Sequence, residues 1–149
     1  MNKYNYEYKE NEYKTPPELY SVALERFGRV EFGLDTCCSD DHIPAIMHYS
    51  LPHKDGLALP WVNYSWCNPP YNDCCKWVEK AYNENKERGI NIAMLIPVRT
   101  ETAYWHKYIL YNPKVEIKFL RKGYRFLDKD NQEMGIFKNA LALVFFRGF

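Results

Sequence analysis

At 149 residues, with 46% hydrophobic and 26% charged side chains, the chain has the length of one globular domain and the composition of neither a disordered nor a fibrous protein. No run approaches the roughly 18 apolar residues of a membrane span, and the opening MNKYNYEYKE has no apolar signal core; no membrane segment or signal peptide is expected, and the cytoplasm is the expected compartment. The net charge is only +1, yet residues 1–80 carry 8 basic and 12 acidic side chains against 12 and 7 in residues 81–149, so a polyanion would meet the C-terminal half.

Residues 1–14 are polar and Tyr-rich without a breaker-bounded pattern, which predicts a frayed tail or an edge segment. At Thr15-Pro16-Pro17-Glu18 the pattern changes: Thr15 suits an N-cap, proline suits the first turn, and Glu18 falls where a capping box needs it. Leu19, Val22, Ala23 and Phe27 follow at helical spacing, and Gly28 stops the helix. Residues 31–35 read as a short strand ending in Asp35. Residues 36–60 give weak signals, a short helix over 43–48 and then a Lys54-Asp55-Gly56 turn. Residues 62–67 read as a strand, stopped by Asn68-Pro69-Pro70-Tyr71. An amphipathic helix is expected over 73–87, with Trp77, Val78 and Ala81 on one face and Gly89 at its end. The apolar run 90–96 before Pro97 has the character of a strand covered on both faces. A helix over 101–111, strands over 115–120 and 141–146, and a β-excursion over 123–139 complete the pattern. Alternating helices and strands around a buried strand predict one three-layer α/β domain, residues 15–149, built on a mainly parallel sheet.

Five cysteines (Cys37, Cys38, Cys67, Cys74, Cys75) include two vicinal pairs. Zinc frameworks need Cys-x₂₋₄-Cys spacing, which is absent, so structural cysteines are favoured over a metal site with His42, His48 and His53, and no metal is expected.

Asn68-Pro69-Pro70-Tyr71 carries the strongest chemical signal. Such a tetrapeptide arises by chance in on the order of one chain in a thousand of this length, and it sits at a strand's carboxyl end, where open parallel sheets bind ligands. An exocyclic amine conjugated to an aromatic ring is a poor nucleophile because its lone pair is delocalised. The Asn68 amide oxygen and the Pro69 carbonyl can each accept one of its hydrogens and favour the pyramidal nitrogen, while two prolines hold the acceptors in place. Tyr71 offers a face on which a flipped-out base could stack. Asp35, at the end of the first strand, is placed to bind the polar groups of a nucleoside-like cofactor. Asp55 is a weaker candidate, since a plain surface turn also accounts for Asp55-Gly56. Arg99 and Thr100 follow the strand over 90–96 and would reach phosphate or substrate, although Thr100 could equally cap the next helix. Arg121, Lys122 and Arg125 lie in the densest basic stretch, a solvated face or a phosphate-contacting surface.

Together these residues resemble the phage-type, Dam-like DNA N6-adenine methyltransferase family across residues 15–146. The resemblance rests on Thr15-Pro16, Leu34-Asp35-Thr36-Cys37-Cys38-Ser39, Asn68-Pro69-Pro70-Tyr71, Pro97-Val98-Arg99-Thr100-Glu101-Thr102, Trp105-His106 and Phe119-Leu120-Arg121. It implies a compact Rossmann-like methyltransferase fold, S-adenosylmethionine as donor, DNA adenine as acceptor, and the phage or prophage setting usual for that family. By the same resemblance Thr15, Pro16, Asp35 and Asp55 would line the cofactor pocket, and Asn68, Pro69, Pro70 and Tyr71 the catalytic one. Thr36 stands where the family usually has proline. Only 32 residues separate Asp35 from Asn68, so the outer strands of a full methyltransferase sheet are expected to be compressed or missing. Two other activities fit the motif chemistry: methylation of another planar amide or amine, in protein glutamine or RNA, and a non-catalytic nucleic-acid-binding module.

Overall fold

The computed structural model of the chain describes residues 14–38, 40–121 and 123–148. The expected tail over residues 1–13 lies outside the described residues, as do Ser39 and Lys122. Among the described residues there are eight strands: β1 (Phe32–Asp35), β2 (Ala45–His48), β3 (Ser65–Cys67), β4 (Ile92–Pro97), β5 (Val115–Phe119), β6 (Arg125–Leu127), β7 (Glu133–Ile136) and β8 (Leu141–Phe146). Two α-helices accompany them, α1 (Pro17–Phe27) and α2 (Cys74–Arg88). Six strands form one sheet in the order β2-β1-β3-β4-β8-β5, and β6 pairs with β7 in a separate hairpin. The pairs β2/β1, β1/β3 and β3/β4 are parallel, and β8 runs antiparallel to both β4 and β5. Five strands therefore share one direction and β8 alone opposes them. The carboxyl ends of β1, β3, β4 and β5 meet the start of β8 at a single sheet edge.

The central strands β4 and β8 are buried along their whole length, as their unbroken apolar sequences require. On one sheet face, Trp77, Val78 and Ala81 of α2 pack with Leu34, Cys67, Ile92, Met94, Val144 and Phe146. On the other, Leu19, Ala23 and Leu24 of α1 pack with Phe32, Trp66, Ala93, Leu95, Leu143 and Phe145. Alternate residues of one strand thus enter opposite cores, the period-2 rule that makes a sheet the middle layer of three. Gly28 and Gly89 stop the two helices, each at φ +67, a conformation that is costly for any side chain. Among the described residues no helix is long and apolar enough to cross a membrane.

Four local expectations are corrected. Residues 43–48 contain strand β2, not a helix: Pro44 biases Ile43 toward extended backbone, the Pro44 carbonyl accepts the Phe32 N–H at 2.8 Å, and the open flank of β1 needs a ladder partner. Between Asp35 and Asn68, β2 and the short β3 are the strands formed among the described residues. The strand expected over 62–67 is cut to Ser65–Cys67, because Tyr64 takes φ +63 and the Ser65 hydroxyl donates to the Val62 carbonyl at 2.6 Å, closing a turn. The helix expected over 101–111 is present only over 103–109, and over Trp105–Ile109 it widens to π spacing, with the Leu110 N–H reaching back five residues to the Trp105 carbonyl. Upstream of it, the Thr102 hydroxyl and N–H both donate to the Arg99 carbonyl, at 2.6 and 2.9 Å, and this local turn displaces the first helical turn. Finally, α1 is capped by Pro16 with no side-chain cap bond; the Thr15 hydroxyl points elsewhere.

Candidate functional site

β3 delivers the Asn-Pro-Pro-Tyr motif to the carboxyl edge of the sheet. Pro69 is buried beneath it, and the Pro70 carbonyl accepts the Asp73 N–H at 3.0 Å. That bond closes a short 3₁₀ turn, Tyr71–Asp73, which leads directly into α2. The backbone carrying Asn68 is therefore clamped between a buried strand and a helix start. The half-buried Asn68 side chain donates from Nδ2 to Oγ1 of Thr15 at 3.1 Å, and Thr15 is only 2% exposed. With Nδ2 engaged, Oδ1 remains as the acceptor the amide can present to a ligand. The Tyr71 ring meets Phe137 edge-on, with centroids 5.6 Å apart, and Phe137 meets Phe126 at 5.5 Å. The hairpin β6–β7 thus buttresses the ring next to the motif.

Asp35 ends β1, the strand beside β3, and is 2% exposed. Burial pushes its carboxyl up to about 7; the Cys37 N–H and the charge of His48 pull the other way, and Asp40 adds to the rise. The Cys37 contact is long, 3.4 Å, and leaves accepting capacity on the carboxylate. Thr36 donates both its N–H and its hydroxyl to the Trp66 carbonyl, at 2.9 and 3.0 Å. A proline there could make neither bond, so threonine replaces ring rigidity with two hydrogen bonds to β3. Gly56 lies against the same loop: a Cβ on it would fall 2.1 Å from the Thr36 carbonyl oxygen and 2.9 Å from the Trp77 ring. Asp55 is exposed, its Oδ1 accepts the Leu57 N–H at 2.9 Å, and its charge reaches Cys37. The Asp55-Gly56 turn is thus a surface turn by its hydrogen bonding and a neighbour of the Asp35-Thr36 loop by its packing.

Arg99 follows β4 at the same edge. Its Nε meets Glu101 Oε1 at 2.6 Å, and its charge acts on Tyr104 and on Cys74 at the start of α2. Thr100 is exposed and caps no helix; its carbonyl accepts from His106 Nε2 at 2.7 Å. Arg121 is exposed at the rim of a 210 Å³ cavity that also takes in Leu120, Tyr124, Phe137, Lys138 and Asn139. Arg125 is exposed on the hairpin and donates to the Met134 carbonyl at 3.1 Å. Hence Thr15, Pro16, Asn68, Pro69, Pro70 and Tyr71 form one group, with Asp35 at the end of the flanking strand, Thr36 and the Asp55 turn in the loop region that follows it, and Arg99 after β4 at the same edge. Arg121 and Arg125 lie outside that group: Arg121 shares its cavity with Phe137, and the hairpin of Arg125 meets the group through Phe137 against Tyr71 and through the Lys14–Leu127 bridge. Phe137 gave no signal in the sequence, because its partner Tyr71 is 66 residues away and no local pattern links the two.

Cys37, Cys38, Cys67 and Cys74 are poor nucleophiles here. Burial pushes Cys37, Cys38 and Cys74 up to about 12, and pushes the fully buried Cys67 well above the ordinary thiol range. All five cysteines are free, and among the described residues no three His, Cys, Asp or Glu side chains converge on a possible metal position.

Comparison with known proteins adds a family to this geometry. The family model "DNA N-6-adenine-methyltransferase (Dam)" matches residues 5–149. The chain is also similar to a "DNA N-6-adenine-methyltransferase" of Haemophilus phage HP1 (strain HP1c1), 25% identical over 120 residues that span 80% of this chain and 68% of that protein. No solved structure matches the chain. With the Asn-Pro-Pro-Tyr motif at the sheet edge and a family match covering nearly every residue, the chain belongs to the DNA N-6-adenine-methyltransferase (Dam) family.

Proposed function

We propose that this protein transfers a methyl group from S-adenosylmethionine to N6 of adenine in DNA, by direct attack of the amine. The observation that carries the reading is the Asn68 amide, fixed at the carboxyl edge with Nδ2 on Thr15 and Oδ1 left to accept. The mainly parallel sheet with one reversed strand is compatible with a compact Rossmann-like methyltransferase fold.

The donor's polar groups fit the residues beside Asn68. Asp35 offers a buried acceptor with capacity to spare. The Gly56 backbone, pressed against Thr36, gives a close wall that a side chain would fill, and Pro16 is buried next to Thr15. We assign Asp35, Asp55, Pro16 and the backbone of Thr15, whose hydroxyl is engaged by Asn68, to the holding of S-adenosylmethionine, which supplies an electrophilic methyl group when bound.

On the acceptor side, Asn68 Oδ1 and the Pro69 carbonyl each accept a hydrogen bond from one N–H of the adenine amine. Nitrogen lone-pair density, otherwise lent to the ring, then becomes available for bond formation. The N–CH₃ bond forms as the donor's S–CH₃ bond breaks, and the methylated nitrogen then loses one proton to water. Because strand, prolines and helix start fix both acceptors beforehand, little reorganisation remains for the reaction itself, and such preorganised polar groups are each worth about 10²-fold or more in rate. Tyr71, held by Phe137, supplies a flat face for the extruded base. Arg99 and Thr100, with Arg121, Lys122 and Arg125, are assigned to the DNA backbone.

Asn68→Ala tests this assignment. Turnover should fall by about 10²-fold or more, while calorimetry shows S-adenosylmethionine still bound. Full activity in the folded variant, or a trapped thiol–base adduct, would overturn direct attack at this site.

A further inference from the structure

A side-chain amide has two orientations of nearly the same shape, which exchange donor and acceptor. For Asn68 the difference is decisive under the function proposed above. With Oδ1 toward the amine, the amide accepts a hydrogen; with Nδ2 there, two donors oppose each other. Shape does not choose between the two, so a neighbouring group must.

We infer that Thr15 is the positioning residue that holds the amide in the productive orientation: its hydroxyl, able to donate or accept, here accepts Nδ2–H of Asn68 and leaves Oδ1 to the reacting amine. The contact is 3.1 Å across 53 residues of sequence. Thr15 occupies the place where a helix-capping hydroxyl would be expected, yet α1 is capped by Pro16 without a side-chain bond. The hydroxyl is spent across the molecule and not on its own helix. Its position is also fixed on both sides. Lys14 exchanges two backbone hydrogen bonds with Leu127 of β6, at 2.7 and 2.9 Å, and the Pro16 carbonyl accepts the Leu19 N–H at 3.0 Å to begin α1. A hydroxyl 2% exposed and anchored by a strand bridge and a helix start has little freedom to release the amide.

The test compares Thr15→Val, which loses the hydroxyl at nearly constant shape, with Thr15→Ser, which keeps it. Thr15→Val should lower kcat by about 10- to 100-fold, the range for stranding one buried donor, with the KM for DNA and the Kd for S-adenosylmethionine changed by less than about threefold. Thr15→Ser should restore kcat to within about threefold of the parent, and in an Asn68→Ala background Thr15→Val should add less than about twofold. A second readout is independent of activity. The Asn68 side-chain NH₂ pair in ¹⁵N spectra, identified by its loss in Asn68→Ala, should exchange slowly with water in the unaltered protein, shift in Thr15→Val and stay in place in Thr15→Ser. Free exchange of that pair in the unaltered protein overturns the inference even if Thr15→Val fails to fold. So does an unchanged kcat in folded Thr15→Val, or a loss confined to cofactor affinity. Failure of the unaltered protein to methylate DNA would refute the proposed reaction, while the NH₂ signals would still decide whether Thr15 holds Asn68.

Discussion

A buried carboxylate is normally a liability, and Asp35 shows what the fold tolerates at the end of β1. Its carboxyl is raised to about 7 by burial. The folded protein therefore holds a proton that the unfolded chain releases near the ordinary aspartate value of 3.8. The stability linked to that proton is fully present below about pH 4 and is lost as pH rises toward about 7. Asp35→Asn, which resembles the protonated acid at every pH, should consequently raise the melting temperature at pH 8 by more than at pH 4. At 1.36 kcal/mol per pKa unit the full difference is on the order of 4 kcal/mol. Equal shifts at both pH values would contradict a buried, proton-holding Asp35. The functional counterpart is Asp35→Ala, which should weaken S-adenosylmethionine binding by roughly 1.5–3 kcal/mol, as for a hydrogen bond to a charged group; unchanged affinity by calorimetry would remove Asp35 from the cofactor site. Cys67 gives the opposite expectation. Its thiol is fully buried and held well above the ordinary range, so Cys67→Ala should remain active in a methyl-transfer assay, whereas an inactive, folded variant would point to covalent activation of the base.

At the scale of elements, the sequence was most informative where one pattern determined one structure. The 3.6-residue spacing of α1 and α2, the unbroken apolar runs of β4 and β8, and the strand–Pro-Pro–helix junction at Asn68 were all readable locally. It failed where a tertiary partner decided the outcome. Nothing in residues 43–48 announces a strand, because β2 exists to complete the ladder of β1. The Thr15 hydroxyl has the local features of a cap and is instead claimed by Asn68. The candidate site was legible in its residue types, since Asn68, Tyr71 and Asp35 stand at the ends of neighbouring strands as expected. Thr15 was named through the family resemblance as a cofactor residue, but its contact with Asn68 was not legible, nor was Phe137 at all, because those contacts span 53 and 66 residues of sequence. The hairpin β6–β7 illustrates the consequence. If it serves as a buttress, Tyr71→Phe should keep most activity and Tyr71→Ala should lose it, since the ring's face matters and its hydroxyl does not. Phe137→Ala should then fall between them, with the loss of an aromatic pair worth about 0.5–1.5 kcal/mol beyond burial. Phe137→Ala with parental kinetics would separate the hairpin from the site.

At the scale of the whole molecule, one sheet edge gathers the ends of four strands, two loops and a basic excursion. The C-terminal half carries the positive excess, 12 basic against 7 acidic side chains after residue 80, and the hairpin that holds Arg125 also holds Phe137 against Tyr71. DNA bound there should be sensitive to salt. Replacing Arg121, Lys122 and Arg125 together by alanine should flatten the salt dependence of binding by roughly 0.9 per lost phosphate contact; an unchanged slope would put the DNA on another face. The central claim concerns the reaction, and one measurement addresses it most directly: transfer of a labelled methyl group from S-adenosylmethionine, offered in parallel to duplex DNA, RNA and protein, followed by identification of the modified group. Label should appear in DNA as N6-methyladenine, with none above background in the other two. Label in RNA or in protein glutamine instead, or cofactor and DNA binding without any transfer, would contradict the proposed reaction.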